Sequence, residues 1–302
     1  MLNLESLLIR FEHLLPPPHA ELNWAAPAFR WRKKIVLGTS VGWLEAIHHP
    51  HKIQLADLQN VEPQKAEIAR NTRQFVQGRL ANNVLLTGTR GTGKSSLVKA
   101  VLHEYVSQGL RLVEVDKDDL CDLADIVALL APRPERFIVF CDDLSFEEGE
   151  GGYKALKSVL DGSVAATSSN VLIYATSNRR HLLPEYFDEN LKTRHVDGEI
   201  HPADAVEEKI SLSERFGLWL SFYPFTQDEY LVAARHWLAE FGVRQWDETT
   251  ERAALNWALG RGSRSGRVAW QFARDLAGRG KTDRVISRPS PHGKDSGDPC
   301  QP

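Results

Sequence analysis

Cysteine is scarce in the 302 residues: the three that occur, Cys121, Cys141 and Cys300, are odd in number and widely separated. That excludes a disulfide framework, and their spacing supplies no metal-ligand pattern, so a reducing cytoplasm is the expected compartment. Long hydrophobic runs are also lacking. No apolar stretch approaches the roughly 18 residues of a membrane helix. The opening MLNLESLLIRF carries an early acidic residue, no basic leader region and no small-residue cleavage site, so neither a span nor a signal peptide is expected. An excess of one charge is missing too: 37 Lys and Arg against 40 Asp and Glu leave a net charge of -3, which gives no global attraction to phosphate backbones or anionic membranes. No internal repeat is present, which removes solenoid and propeller architectures.

What is present is enough apolar material, 42% of residues, to bury a large domain and a smaller one. Composition divides the chain. Residues 1–50 join an amphipathic stretch (Leu4, Leu7, Leu8, Phe11, Leu14, Leu15), the run Pro16-Pro17-Pro18, the aromatic and basic segment AFRWRKK and a histidine-rich turn, and read as an accessory element. Residues 51–224 alternate short apolar runs with helical patterns, the mark of an α/β domain with a parallel sheet; strands are expected at 84–87, 112–115, 137–141, 171–176 and 218–222. Residues 225–280 have no such runs. The spacing of Tyr230, Ala233, Ala234 and Trp237, then of Ala253, Ala254, Trp257 and Ala258, predicts a small helical domain. Residues 281–302 are too poor in apolar side chains to fold, and a disordered tail is expected.

The strongest local signal is VLLTGTRGTGKSSLVKAVL, an apolar strand running into Gly88-Thr89-Arg90-Gly91-Thr92-Gly93-Lys94-Ser95-Ser96 and then into an amphipathic helix. It matches the Walker A pattern in full. Glycines let the backbone turn around phosphates with its amides pointing inward, and the helix presents its positive N-terminus to the same oxygens. Lys94 adds a point charge at the β and γ phosphates of ATP, and Ser95 offers Mg2+ a hard oxygen ligand.

About fifty residues later ERFIVFCDDLSF ends an apolar strand in two carboxylates and resembles Walker B. Asp142 is expected in the magnesium shell and Asp143 as the general base that polarises the attacking water. Many related sites carry Glu at the second position; the shorter Asp leaves slow turnover as an open alternative. The acids of Glu147-Glu148-Gly149-Glu150-Gly151-Gly152 read instead as a solvated loop, because glycines deny them a fixed geometry. A third strand, VLIYATSN, ends in Asn178, whose amide is expected beside the acidic pair to orient water or sense the γ-phosphate.

Taken together, GTRGTGKSSLVKA, FCDDLSFEEGEG, YATSNRRHLLPE and EEKISLSERFGLWLSFYP resemble AAA+ proteins, and are similar to a prokaryotic ATPase family known as a domain of unknown function, over residues 28–280. The Asp-Asp form and SERFGLWL also resemble, more distantly, the replication-initiator and helicase-loader branch. This resemblance implies a P-loop NTPase fold with a five-stranded parallel sheet in the order 5-1-4-3-2 and a small helical C-terminal lid. It also implies a homo-oligomer in which one subunit completes its neighbour's site, acting on an unknown protein partner. Within it, Arg215 takes the arginine-finger position, Arg267 the lid's second sensor position with Arg264 as its rival, and Val61, in LADLQNVEPQK, lies against the adenine.

Two other groups invite a function. His48-His49-Pro50-His51 lacks a carboxylate or cysteine spaced to complete a metal shell. Residues 261–288 hold eight basic side chains against two acids, with Trp270 and Phe272 between them; nucleic-acid contact is one reading, and a solvated helix face the favoured one.

Overall fold

In the segment Arg136–Cys141 every residue after the arginine is buried, and its side chains divide by parity. Phe137, Val139 and Cys141 enter one apolar cluster while Ile138 and Phe140 enter another, so this strand (β5) is covered on both faces. The structure, a computed structural model, describes residues 22–36, 38–146, 151–162, 168–178 and 212–279. Parallel to β5 run β4 (Leu110–Val115) and β6 (Val171–Ser177); beyond β6 lie β3 (Val84–Gly88) and then β7 (Leu218–Phe222), also parallel. These five are the strands expected from the sequence, and they stand in the expected relative order 5-1-4-3-2.

The five-stranded expectation is nevertheless corrected: the sheet has seven strands, in the order β2-β1-β4-β5-β6-β3-β7. β1 (Ala28–Val36) pairs with β4 in parallel, and β2 (Thr39–Ile47) folds back on β1 antiparallel. Residues 28–47, read from the sequence within an accessory element, are therefore continuous with the sheet. The aromatic and basic segment hides its strand character because three of its cations meet acids that the fold brings beside them. Arg30 Nε donates to Glu114 at 2.9 Å, Arg32 Nε to Glu45 at 2.8 Å, and Lys33 lies 3.0 Å from Asp122. Between them Phe29 and Trp31 turn inward, and the Trp31 indole occupies the place a side chain at Gly42 would need, 2.0 Å from a Cβ there.

Helices α1 (Glu62–Val76) and α2 (Lys94–Tyr105) cover one face through Ile68, Phe75, Leu97, Val98 and Val101. α3 (Leu123–Leu130) and α4 (Gly151–Leu160) cover the other through Ile126, Leu130, Tyr153 and Leu156. Each large side chain so buried contributes about 1.5–3 kcal/mol, which ties both layers to the sheet. A separate cluster joins α5 (Gln227–Glu240), α6 (Glu248–Arg261) and α7 (Gly266–Gly278), where Ala233, Ala234, Ala254, Ala258, Ala269 and Ala273 allow close approach around Tyr230 and Phe272. Thr226, Asp247 and Ser265 cap these helices by accepting backbone N–H bonds, and Gly262 ends α6 in the left-handed conformation. The amphipathic stretch before residue 16, the proline run, the acids 147–150 and the expected tail 281–302 lie outside the described residues. No helix among the described residues is long and apolar enough to cross a membrane.

Candidate functional site

β3 ends at Gly88 with φ +130, and a Cβ there would lie 1.9 Å from the Phe222 carbonyl oxygen of β7, so only glycine lets the chain leave the sheet at this point. Thr92 Oγ1 donates to Thr89 O at 2.8 Å and braces the loop from within. Gly93, in the left-handed region at φ 105, turns the chain into α2, whose first residue is Lys94. The Lys94 ammonium directs its three donors to Gly88 O at 2.6 Å, Thr89 O at 2.9 Å and Asn178 Oδ1 at 2.9 Å. Burial pulls its pKa down to about 8, against the opposing pull of Asp143 and Asp142 and with help from Arg267 and Arg90.

The acids follow from the β5–β6 pairing, which runs in register as far as Cys141↔Ala175 and delivers the next residues of both strands to one spot. Asp142 Oδ1 accepts from Ser95 Oγ at 2.6 Å and from Thr176 Oγ1 at 2.6 Å. Asp143 adopts φ 55, a left-handed backbone that Asp tolerates better than most residues, and its N–H donates to Thr176 Oγ1 at 2.9 Å. Its carboxylate accepts from Asn178 Nδ2 and lies 3.7 Å from the Arg90 guanidinium. Asn178 thus bridges Lys94 and Asp143. Sequence reasoning missed Thr176; its signal is its place in the register, one residue past the last paired position.

Above these groups opens a cavity of about 500 Å³. Arg90, Gly91, Thr92, Gly93, Lys94, Ser95, Ser96, Asp142, Asp143, Asn178, Val61 and Arg267 all line it, so twelve of the residues predicted for the site meet in one cleft. Gly88 and Thr89 support it from below through their carbonyls to Lys94. Ile53 and Leu58 line the same cavity beside Val61, as do Trp237 and Trp270 of the helical domain; these aromatics carry no local motif and were not foreseen. Arg267 donates its backbone N–H to Gly91 O at 3.2 Å, which docks the start of α7 directly on the glycine loop. Asn60 Nδ2 to Glu229 O, 2.7 Å, makes a second clasp between the segment before α1 and α5. Arg264 does not line the cavity. Arg215 does not line it either: its guanidinium pairs with Asp161, just past α4.

The donor set fits a magnesium ion: a serine hydroxyl and a carboxylate, both hard oxygens, converge at the mouth of a glycine cradle. No group of three or more His, Cys, Asp or Glu among the described residues is placed to hold a metal by itself. Three arginines of the helical domain are engaged within it: Arg261 stacks on Trp257, Arg274 on Trp270, and Arg279 pairs with Asp275.

Residues 24–280 match the model of the family described as Protein of unknown function (DUF815). No curated protein matches the chain. Among solved structures, a point mutant of Thermotoga maritima RuvB is similar at 16% identity with a TM-score of 0.50, covering 77% of this chain and 68% of that one. A second point mutant of the same protein gives 18% identity and a TM-score of 0.49, with 77% and 68% covered. The Aeropyrum pernix Orc1 protein in complex with DNA gives 15% identity and 0.49, with 75% and 62% covered. The likeness to RuvB is one of fold: an α/β domain with a mostly parallel sheet resembling AAA+ P-loop domains.

Proposed function

We propose that this chain, which belongs to the family described as Protein of unknown function (DUF815), binds MgATP in the cleft and hydrolyses it as a homo-oligomer that remodels or regulates a macromolecular partner. The observation that carries this reading is the pair of contacts converging in one cavity: Ser95 on Asp142, and Asn178 between Lys94 and Asp143. The loop amides and Lys94 hold the phosphates, while Val61 and the apolar wall around it take the base. Ser95 and Asp142 hold Mg2+, which when bound neutralises charge on the β and γ oxygens. Asp143 orients and deprotonates the attacking water, and Asn178 fixes its carboxylate relative to Lys94. Arg267, whose backbone touches Gly91, ties the nucleotide to the helical domain, so that ATP and ADP favour different positions of that domain.

Arg215 acts, in this reading, on the site of a neighbouring subunit, leaving Asp161 for the γ-phosphate. The test is ATP turnover against protein concentration for the wild type, Lys94→Ala and Arg215→Ala. Specific activity is expected to climb with concentration, and Arg215→Ala to lower it by about 10³-fold or more. Wild-type turnover in Arg215→Ala sinks the shared site.

A second reading, a nucleotide-gated switch with little turnover, is favoured by one observation: the Asp143 carboxylate is held by Asn178 on a short side chain and a left-handed backbone. Tight ATP binding with negligible phosphate release at every concentration supports it. A helicase-loader-like role on nucleic acid is the weaker alternative, because three of the arginines that motivate it, Arg261, Arg274 and Arg279, are stacked or paired.

A further inference from the structure

We infer that Thr176 is a positioning residue that sets both acids of the cleft at once, an assignment that rests on the MgATP reading and extends it to a residue outside both phosphate motifs. The two strands separate just beyond their last paired position. Asp143 turns left-handed there, so its N–H no longer faces a ladder carbonyl, and the Thr176 hydroxyl takes it at 2.9 Å. Leu144 N–H then reaches Thr176 O at 2.7 Å, and Ser177 Oγ donates to Leu144 O at 2.7 Å. The segment carrying both acids is thus stitched to the end of β6.

The direction of each bond is fixed by chemistry. A backbone N–H can only donate, so Thr176 Oγ1 accepts from Asp143 and sends its single proton to Asp142 Oδ1 at 2.6 Å. Ser95 donates to the same oxygen, so two hydroxyls from different elements fix the orientation of the Asp142 carboxylate. Thr176 is 1% exposed, and its hydroxyl joins the two acids. Its loss frees the Asp142 carboxylate to rotate and strands the Asp143 N–H. The grip on metal-free ATP, by contrast, belongs to the glycine loop and Lys94, whose ammonium bonds to Gly88, Thr89 and Asn178 and not to the Thr176 hydroxyl. The signature of a positioning role is therefore a loss confined to what Mg2+ adds to ATP binding.

The experiment is calorimetric titration of the full chain with ATP in EDTA and in excess Mg2+, for the wild type, Thr176→Val and Thr176→Ser, each checked by thermal melting. Thr176→Val keeps the shape without the hydroxyl. It is expected to bind ATP in EDTA within about twofold of wild type and to lose about tenfold or more of the tightening that Mg2+ gives, the size of a lost hydrogen bond to a charged group. Thr176→Ser keeps the hydroxyl and is expected to retain that tightening. If Thr176→Val does not fold, Thr176→Ala lacks the same hydroxyl with less crowding and is judged by the same criterion. An undiminished Mg2+ effect in the hydroxyl-free variant overturns the assignment, as does a loss in Thr176→Ser equal to that in Thr176→Val. A wild type that binds no ATP in either buffer overturns the reading beneath it, an outcome distinct from one confined to the Thr176 variants.

Discussion

Raising the pH from 7 to 9 isolates the charge on Lys94. Burial brings its pKa down to about 8, so roughly 90% of the side chain is charged at pH 7 and about 10% at pH 9. If phosphate binding requires the ammonium, the apparent affinity for ATP falls in proportion to the charged fraction, about tenfold over that interval. Lys94→Arg stays charged throughout and serves as the control for pH effects elsewhere. The stability of the nucleotide-free chain moves the opposite way. Because the folded pKa lies below the usual lysine range, the unfolded chain binds more protons above about pH 8, and stability rises with pH. Above about pH 9 the trend is opposed by Cys141, which burial pushes up to about 12, so the clean window is narrow. Calorimetric titrations at steps of half a pH unit, paired with thermal melts, measure both slopes. A wild-type affinity that stays flat to pH 9, or a Lys94→Arg variant that declines in parallel with it, refutes the argument.

Other perturbations have equally definite outcomes. Gly88→Ala places a methyl 1.9 Å from Phe222 O at a left-handed φ, so it should cost about 4 kcal/mol or more and abolish ATP binding, read by chemical denaturation and titration. Tyr174→Phe removes a fully buried hydroxyl bonded to Thr72 at 2.8 Å and Asn71 at 3.2 Å, and should lower the melting temperature by about 2–4 °C per kcal/mol lost while sparing the cleft. Thr226→Ala breaks the reciprocal cap with Glu229 that starts α5, a loss of about 1 kcal/mol, visible as earlier unfolding of the helical domain in hydrogen exchange.

The sequence discloses the parts of this fold that depend on local pattern. Five strands were legible because strands such as β5 are apolar on both faces, and the phosphate loop because its glycines and lysine occur at fixed spacing between a strand and a helix. β1 and β2 were not legible as strands. Their cations look like an exposed strip until Glu114, Asp119 and Asp122 arrive from elsewhere in the chain to pair with them. Thr176 escaped notice because a threonine inside a strand is ordinary; its role exists only in the register that sets it beside Asp142. Trp237 and Trp270 belong to helices brought to the cleft by tertiary packing alone. Arg215 stands outside the cleft in the single chain, and its proposed partner is a second copy.

The most direct test of the account is the binding of ATP in the presence of Mg2+ by the wild type and by Lys94→Ala, measured calorimetrically on the full chain. The account predicts one site per chain in the wild type, and in Lys94→Ala a loss of about 2 kcal/mol or more, roughly thirtyfold in affinity, with the fold intact by melting. A wild type that shows no heat of binding with ATP, or a Lys94→Ala variant that binds as tightly as the wild type, contradicts it.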